Sequence, residues 1–311
     1  MQSAPTNVTP TETRYRLEVD DVSTFSTRTI GRLRHNYSKH PLLQLSQLEV
    51  LAKEILPHAG CRFIRRGTTQ SSEFFHDPAS QDGRSIEEIF RHIEDPGSWI
   101  ALYNVEKVPR YQALLTEVLA SVRPFIEREQ SYLFLITGFI FISAPPSVTP
   151  FHIDRENNFW LQIHGRKVMN VWDPTDRFVV PANVVEDFII NRSLDRVCLK
   201  DEFTPRSKEF DVGPGDGIYF PSTSPHMTRS DRSWTKPGDG VSVSIGVNFY
   251  THLTRKHAQV HQVNEVLRRF GVLPTAPGVS SLVDSIKAPF GRILGAVRYR
   301  HRGRTAPPGA Y

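Results

Sequence analysis

Hydrophobic positions change their spacing along this chain, and the changes divide it into three stretches. LLQLSQLEVLAKEILPHAG (42–60) carries a helical period and stops at Pro57 and Gly60. SIEEIFRHIED (85–95) opens with a serine three residues ahead of a glutamate, the signature of a capping box. PRYQALLTEVLASVRPFIEREQ (109–130) reads as a long amphipathic helix, kinked or broken at Pro124. Residues 1 to about 28, rich in Thr, Ser and Pro, read as loosely attached. The centre is different. SWIALYNV (98–105), YLFLITGFIFIS (132–143), TPFHID (149–154), FWLQI (159–163), KVMNVWD (167–173), FDVGPGDGIYFP (210–221) and GVSVSIGVNFY (240–250) are short β-branched and aromatic runs. Gly, Pro and Asp turns separate them: IHGRK fits a tight hairpin turn and GPGDG is a second turn signal. After Tyr250 the helical period returns in RKHAQVHQVNEVLRRFG and in SSLVDSIKAPFGRILGAV, the latter interrupted at Pro289.

Many short strands with helices on both flanks predict a mainly β fold, a jelly-roll (double-stranded β-helix) barrel. The expected organisation is an N-terminal helical and extended region (1–97), a barrel (98–255), and C-terminal helices with a basic tail (256–311). The longest apolar run, 132–143, is too short to cross a bilayer as a helix, so no membrane partner is expected.

Composition narrows the picture in two places. The formal charge of +5 matches the five arginines of the last 21 residues, Arg292, Arg298, Arg300, Arg302 and Arg304, which include no acid. A Gly- and Pro-containing basic tail is ordinarily solvated, and nucleic-acid binding is not expected of the balanced remainder. The two cysteines, Cys61 and Cys198, lie far apart, which argues against a disulfide framework or a zinc-thiolate site. With no basic and apolar leader in MQSAPTNVTPTET, a cytoplasmic location is expected.

The chemistry concentrates in TPFHIDRENNFWLQIHGRK (149–167). On a strand, His152 and Asp154 would share a face, giving either a buried hydrogen-bonded pair or two thirds of a metal site. A third ligand must come from elsewhere. Of the 12 histidines, His226 stands out, after the strand GIYFP and a short loop. His257 and His261 share a helix face, but no other ligand is near and a solvated face is the simpler reading. Lys167 follows the turn and starts a strand back through the barrel. Directed inward it needs an anion, and a dicarboxylate would supply one; directed outward it is a surface lysine. Thr149, Asn158 and Asn248 add neutral hydrogen-bonding groups.

These residues, with VGPGDGIYFPSTSPHMTRS (212–230) and VNFY (247–250), resemble the JmjC-type (cupin-like) iron(II)/2-oxoglutarate oxygenases. The likeness is greatest to the hydroxylase branch typified by the asparaginyl hydroxylase that inhibits hypoxia-inducible factor. It is carried by the Thr-Pro before His152, the His-x-Asp, Asn158-Phe159, the Q-I-x-G-x-K turn, GPGD, the Pro-x-x-x-x-His ending at His226 and the VNF strand. It covers residues 98 to 250 well and the flanks loosely. The resemblance implies that His152, Asp154 and His226 ligate iron(II). Lys167, assisted by Thr149, would hold the distal carboxylate of 2-oxoglutarate, with Asn158 and Asn248 near the same co-substrate. A tyrosine from an earlier strand is also usual, and Tyr103 is the one on offer. The reaction implied is hydroxylation of an unactivated C–H bond of a peptide, protein or small-molecule substrate, consuming 2-oxoglutarate and O2 and releasing succinate and CO2. The His152-to-Lys167 spacing, and Asp154 where many histone demethylases have Glu, point away from demethylation. Two alternatives stand beside this reading. One is a non-catalytic cupin-like binding or regulatory protein; the other is a cupin metalloenzyme that needs no 2-oxoglutarate. The apolar stripes of the C-terminal helices (Val260, Val263, Val266, Leu267 and Phe270, then Leu282, Val283, Ile286, Ile293, Leu294 and Val297) need a surface to bury them, and the resemblance implies that this is a second copy, in a homodimer. Packing on the protein's own barrel would serve them equally.

Overall fold

The computed structural model describes residues 15–65, 67–74, 77–78, 83–234 and 240–303. His76, Arg304 and the first 14 residues of the stretch expected to be loose lie outside them. The chain runs β1 (Leu17–Val19), β2 (Gly31–His35), α1 (Leu45–Ile55), β3 (Cys61–Phe63), α2 (Ile86–Arg91), β4 (Trp99–Tyr103), α3 (Pro109–Ala120) and α4 (Arg123–Glu129). It continues through β5 (Phe134–Ser143), β6 (Ser147–His152), β7 (Asn157–His164), β8 (Lys167–Val171), α5 (Ala182–Asn191), β9 (Lys208–Val212) and β10 (Asp216–Phe220). It ends with β11 (His226–Ser230), β12 (Ser242–Tyr250), α6 (His252–Arg269) and α7 (Ser281–His301).

Local signals explain much of this. The Ser85–Glu88 capping box forms and starts α2. The helical stretch 109–130 divides, with Pro124 in the first turn of α4, where a missing N–H costs nothing. The strand that reaches furthest from expectation is β1. Residues 17–19 pair with β2, and Phe25 and Thr27 are buried, so the second half of the segment read as loose is built into the protein.

The strands form an eight-stranded sheet, ordered β1-β2-β10-β7-β12-β5-β4-β3, and a four-stranded sheet, ordered β6-β11-β8-β9. From β5 onward the chain passes between them at nearly every turn. This winding makes the double-stranded β-helix. It also corrects the hairpin reading of IHGRK. Gly165 does take a positive φ of 65°, but β7 and β8 belong to different sheets, so the turn is a corner between layers. GPGDG, between β9 and β10, is another such corner.

Three apolar clusters hold the layers. The outer face of the large sheet packs on α1 to α4 through residues such as Phe159, Leu161, Ile245, Leu115 and Ile126. The outer face of the small sheet packs on α5 and α6 through Phe151, Trp172, Val185 and Ala258. Between the sheets lie Trp160, Met169, Val171, Phe210, Val212, Ile218 and Phe220. Each such large side chain contributes about 1.5–3 kcal/mol by leaving water. The third cluster fills only part of the interior, and the remainder is polar.

Candidate active site

The register decides whether the two candidate ligand segments meet. His226, the first residue of β11, is the direct cross-strand partner of His152, the last residue of β6. Asp154 joins them from outside the strand. β6 ends at His152, so the convergence comes from the bend at 153–156 and not from strand alternation; a hydrogen bond from Thr223 N–H to the Asp154 carbonyl at 2.8 Å pins that bend. One ligand atom from each of His152, Asp154 and His226 lies within 4.8 Å of the others.

The rings are oriented by their far nitrogens. His152 Nδ1 lies 2.7 Å from the Pro150 carbonyl and His226 Nδ1 lies 3.0 Å from the Ser224 carbonyl. A carbonyl only accepts, so each Nδ1 carries the proton and donates, which puts the lone pair of each ring on Nε2. His226 Nε2 is 3.5 Å from Asp154 Oδ2. Phe74 stacks on His152 at 3.9 Å and Phe220 lies 4.6 Å from His226, so both imidazoles have apolar walls. Desolvation holds the Asp154 carboxyl above its ordinary pKa, partly countered by His226. A divalent cation at this point would favour the ionised carboxylate.

The remaining predicted residues line the same interior. Alternation along β11 puts Thr228 beside His226. Their partners Met169 and Val171 on β8, and Thr149 on β6, place Lys167 at the far end of the same face. Lys167 is only 2% exposed, no carboxylate among the described residues pairs with it, and desolvation pulls its pKa down to about 8. The surface-lysine reading is therefore excluded. Val171 stands opposite His226 and Lys167 lies four residues further along β8, about 13 Å at the strand rise. A lysine and an imidazole reaching toward each other leave a gap of small-molecule size.

The opposite wall is β7 and β12. Asn158 and Asn248 are register partners, both buried. Gly246 makes room between them, since a Cβ there would fall 3.2 Å from Asn158 Oδ1 and 3.3 Å from Asn248 Oδ1. Asn158 Oδ1, both amide atoms of Asn248, and the hydroxyls of Thr137, Thr228 and Ser244 are buried with no partner among the described residues. Buried polar atoms are rarely left so, and this many on facing walls describe a cradle for a polar ligand. Thr137, Thr228 and Ser244 were not singled out from sequence. Ser244, Gly246 and Asn248 alternating with Val243, Ile245 and Val247 were the available signal. Tyr103, packed on Phe139 at 4.6 Å, has its phenol pKa raised by burial and then by the Asp154 charge. Glu156 was also missed. It accepts a 2.6 Å hydrogen bond from Tyr250, and burial followed by the Asp154 charge raises its pKa.

The other histidine pair is corrected. His261 is 7% exposed and His257 half-buried, so they do not form a solvated helix face. Burial drops their pKa values to about 3 and about 4. A cavity of about 670 Å³, lined in part by Trp99, Ser147, Val148, Arg229 and Ser230, opens at the other end of β6 and touches none of the triad.

Residues 125–254 match the family model for the JmjC domain. That match falls within the central barrel. Among solved structures, the chain is similar to the ribosomal oxygenase YcfD from Escherichia coli: 16% identity, 92% of this chain and 69% of that chain covered, TM-score 0.44. A structure of YcfD with cobalt and 2-oxoglutarate gives 16%, 92%, 70% and 0.43. One with cobalt and succinic acid gives 15%, 89%, 67% and 0.41. No curated protein matches the chain. The comparisons reach the JmjC level and lend nothing to the narrower likeness to the asparaginyl hydroxylase. The donor set of the His-Asp-His cluster fits iron(II). No helix among the described residues is long and apolar enough to cross a membrane.

Proposed function

We propose that the protein is an iron(II)/2-oxoglutarate-dependent hydroxylase of the JmjC hydroxylase branch, oxidising an unactivated C–H bond of a peptide, protein or small-molecule substrate. The observation that carries the reading is one interior face with three metal-ligand side chains at one end and an acid-free, buried lysine at the other. In this reading His152, Asp154 and His226 hold iron, and Lys167 receives the distal carboxylate of 2-oxoglutarate with help from Thr149. Asn158 and Asn248 offer amide groups to the same molecule. The bound iron and co-substrate, with O2, supply the oxidising power, and succinate and CO2 leave. The chain's own share is positional: Pro150 and Ser224 fix the ligand tautomers, Phe74 and Phe220 keep the imidazoles dry, and the apolar floor around Trp160 excludes water. The catalytic unit is taken as residues 98–255, its wide sheet extended by β1 to β3. A cytoplasmic setting agrees with Cys61 and Cys198 being free thiols.

The test is 2-oxoglutarate turnover by the iron-loaded protein across a substrate panel, with mass spectrometry for the gain of one oxygen. Succinate release with an oxygenated product supports the hydroxylase. Tight co-substrate binding without turnover would mark a binding protein instead.

The same proposal includes a homodimer through the C-terminal helices. α7 crosses α6 closely at Gly291, where a Cβ would collide with the Gln259 backbone, and it turns Leu282, Ile286, Phe290 and Ile293 outward at 73, 58, 62 and 62% exposure. Ile286→Glu with Ile293→Glu is expected to give a monomer by light scattering where the parent is a dimer.

A further inference from the structure

Arg155 directly follows Asp154, in the bend between β6 and β7. It is 7% exposed. Its Nε, Nη1 and Nη2 are all shut off from solvent, and none has a hydrogen-bond partner among the described residues. A guanidinium keeps its proton and presents a planar fork of donors, so leaving one dry and unpaired is costly to the fold. The placement is not that of a loose loop. Arg155 N–H donates to Glu156 Oε2 at 3.0 Å, and the Arg155 carbonyl accepts from Ser222 Oγ at 2.8 Å. The neighbouring acid is already engaged: Glu156 Oε1 takes the Tyr250 hydroxyl, and Oε2 takes that backbone N–H. Further cations stand close by. The charges of Arg155 and Arg192 both act on the Tyr250 phenol, and Arg255 lies 4.0 Å over Phe134, which stacks on Tyr250 at 5.8 Å.

We propose that Arg155 receives a carboxylate of the primary substrate beside the metal centre, and so selects an acidic substrate: an aspartyl or glutamyl side chain of a peptide, or a free acidic amino acid. This rests on the hydroxylase reading and names its substrate class. The site then has two buried cations on different elements: Lys167, which no carboxylate among the described residues meets, and Arg155, whose charge reaches Glu156 but whose guanidinium donors have no hydrogen-bond partner among the described residues. Lys167 on β8 suits the distal end of the co-substrate, whose other end belongs at the metal. Arg155 on the β6–β7 bend remains for a second anion. Its fork fits a carboxylate through two parallel hydrogen bonds, which the isosteric amide cannot match with a charge.

The experiment uses the full chain loaded with cobalt(II), which holds the site without turnover, and saturated with 2-oxoglutarate. Dissociation constants are measured for short peptides in Asp/Asn and Glu/Gln pairs over randomised flanks, and for free aspartate, glutamate and their amides. The parent is expected to prefer the carboxylate member by on the order of 100-fold. Arg155→Gln should bring each pair to within a few-fold, Arg155→Lys should keep part of the preference, and both should bind 2-oxoglutarate nearly as the parent does. Whether peptides or free amino acids show the preference identifies the source of the carboxylate. Should Arg155→Gln not fold, the parent-to-Arg155→Lys ratio carries the test, and an unchanged ratio refutes the proposal. A parent without acid preference, a preference surviving in Arg155→Gln, or a loss confined to 2-oxoglutarate would each overturn it. Succinate release by the iron-loaded parent separates the two readings: its absence sinks the hydroxylase, whereas its presence with an unaltered preference in Arg155→Gln sinks only this inference.

Discussion

Two pairs of histidines sit inside the protein, His152 and His226 between the sheets and the buried His261 with the half-buried His257 on α6, and the pairs differ in nearly every other respect. His152 and His226 sit opposite each other across two strands, each with Nδ1 tied to a backbone carbonyl, and a ligand atom of each lies within 4.8 Å of Asp154. His257 and His261 sit one turn apart on α6, with His257 Nε2 and His261 Nδ1 buried and unpartnered, and no third ligand completes a cluster among the described residues. The cations around them differ as well. In the helical layer Arg268 meets Glu186 at 2.9 Å, Arg298 meets Gln262 at 2.6 Å, and Lys287 meets Asn264 at 2.7 Å. In the barrel Lys167 has no acid among the described residues. The helical layer mostly answers its own charges, whereas the barrel keeps donors and acceptors for something that is not part of the chain. Convergence with fixed tautomers, and not burial, separates a site from a packed core.

The sharpest way to break this contrast is to remove one ligand. His226→Ala is expected to weaken cobalt(II) binding by on the order of 1,000-fold or more, since outer-shell partners alone are worth 10- to 100-fold. Calorimetric titration measures it, and unchanged affinity would dissolve the distinction between the pairs. Lys167→Ala should next cost about 2–5 kcal/mol of 2-oxoglutarate binding with metal affinity little changed; equal co-substrate affinity in parent and variant would make the lysine structural.

The helical pair sharpens the contrast from the other side. Its folded pKa values, about 4 and about 3, lie below the ordinary 6.5, so the unfolded chain binds protons that the folded chain refuses. Stability is therefore whole above pH 6.5 and falls as pH drops from there toward 4. The expected loss is about 1–2 kcal/mol per histidine between pH 7 and 5, with the half-buried His257 at the lower end. Urea unfolding of His257→Gln/His261→Gln should show a flatter acid limb than the parent, with metal affinity unaltered. A smaller effect comes from Lys167. Because its free-state pKa is about 8, affinity for 2-oxoglutarate should decline up to about tenfold per pH unit above that value, and Lys167→Arg should lose this slope.

Much of the barrel site was legible in the sequence because its chemistry sits in short motifs: His-x-Asp, the lysine after a glycine turn, and asparagines inside apolar strands. What was not legible is physical in each case. A glycine turn looks the same whether it closes a hairpin or carries the chain from one sheet to the other, so Gly165 gave the bend and not its partners. The segment VVEDFII of α5 is β-branched enough to hide a helix, and only packing against the small sheet makes it one. Arg155 lies in DREN, a run that reads as a solvated turn, and its burial depends on how the bend folds inward. His257 and His261 read as solvated because α6 is polar overall, yet its faces are covered by α5, α7 and the small sheet.

Succinate released from 2-oxoglutarate tests the central claim most directly, compared among the iron-loaded parent, His226→Ala and His257→Gln/His261→Gln. Release is expected from the parent and from the helical double variant at similar rates, and none above background from His226→Ala. Release that survives His226→Ala, or that vanishes in a folded His257→Gln/His261→Gln protein, would contradict it.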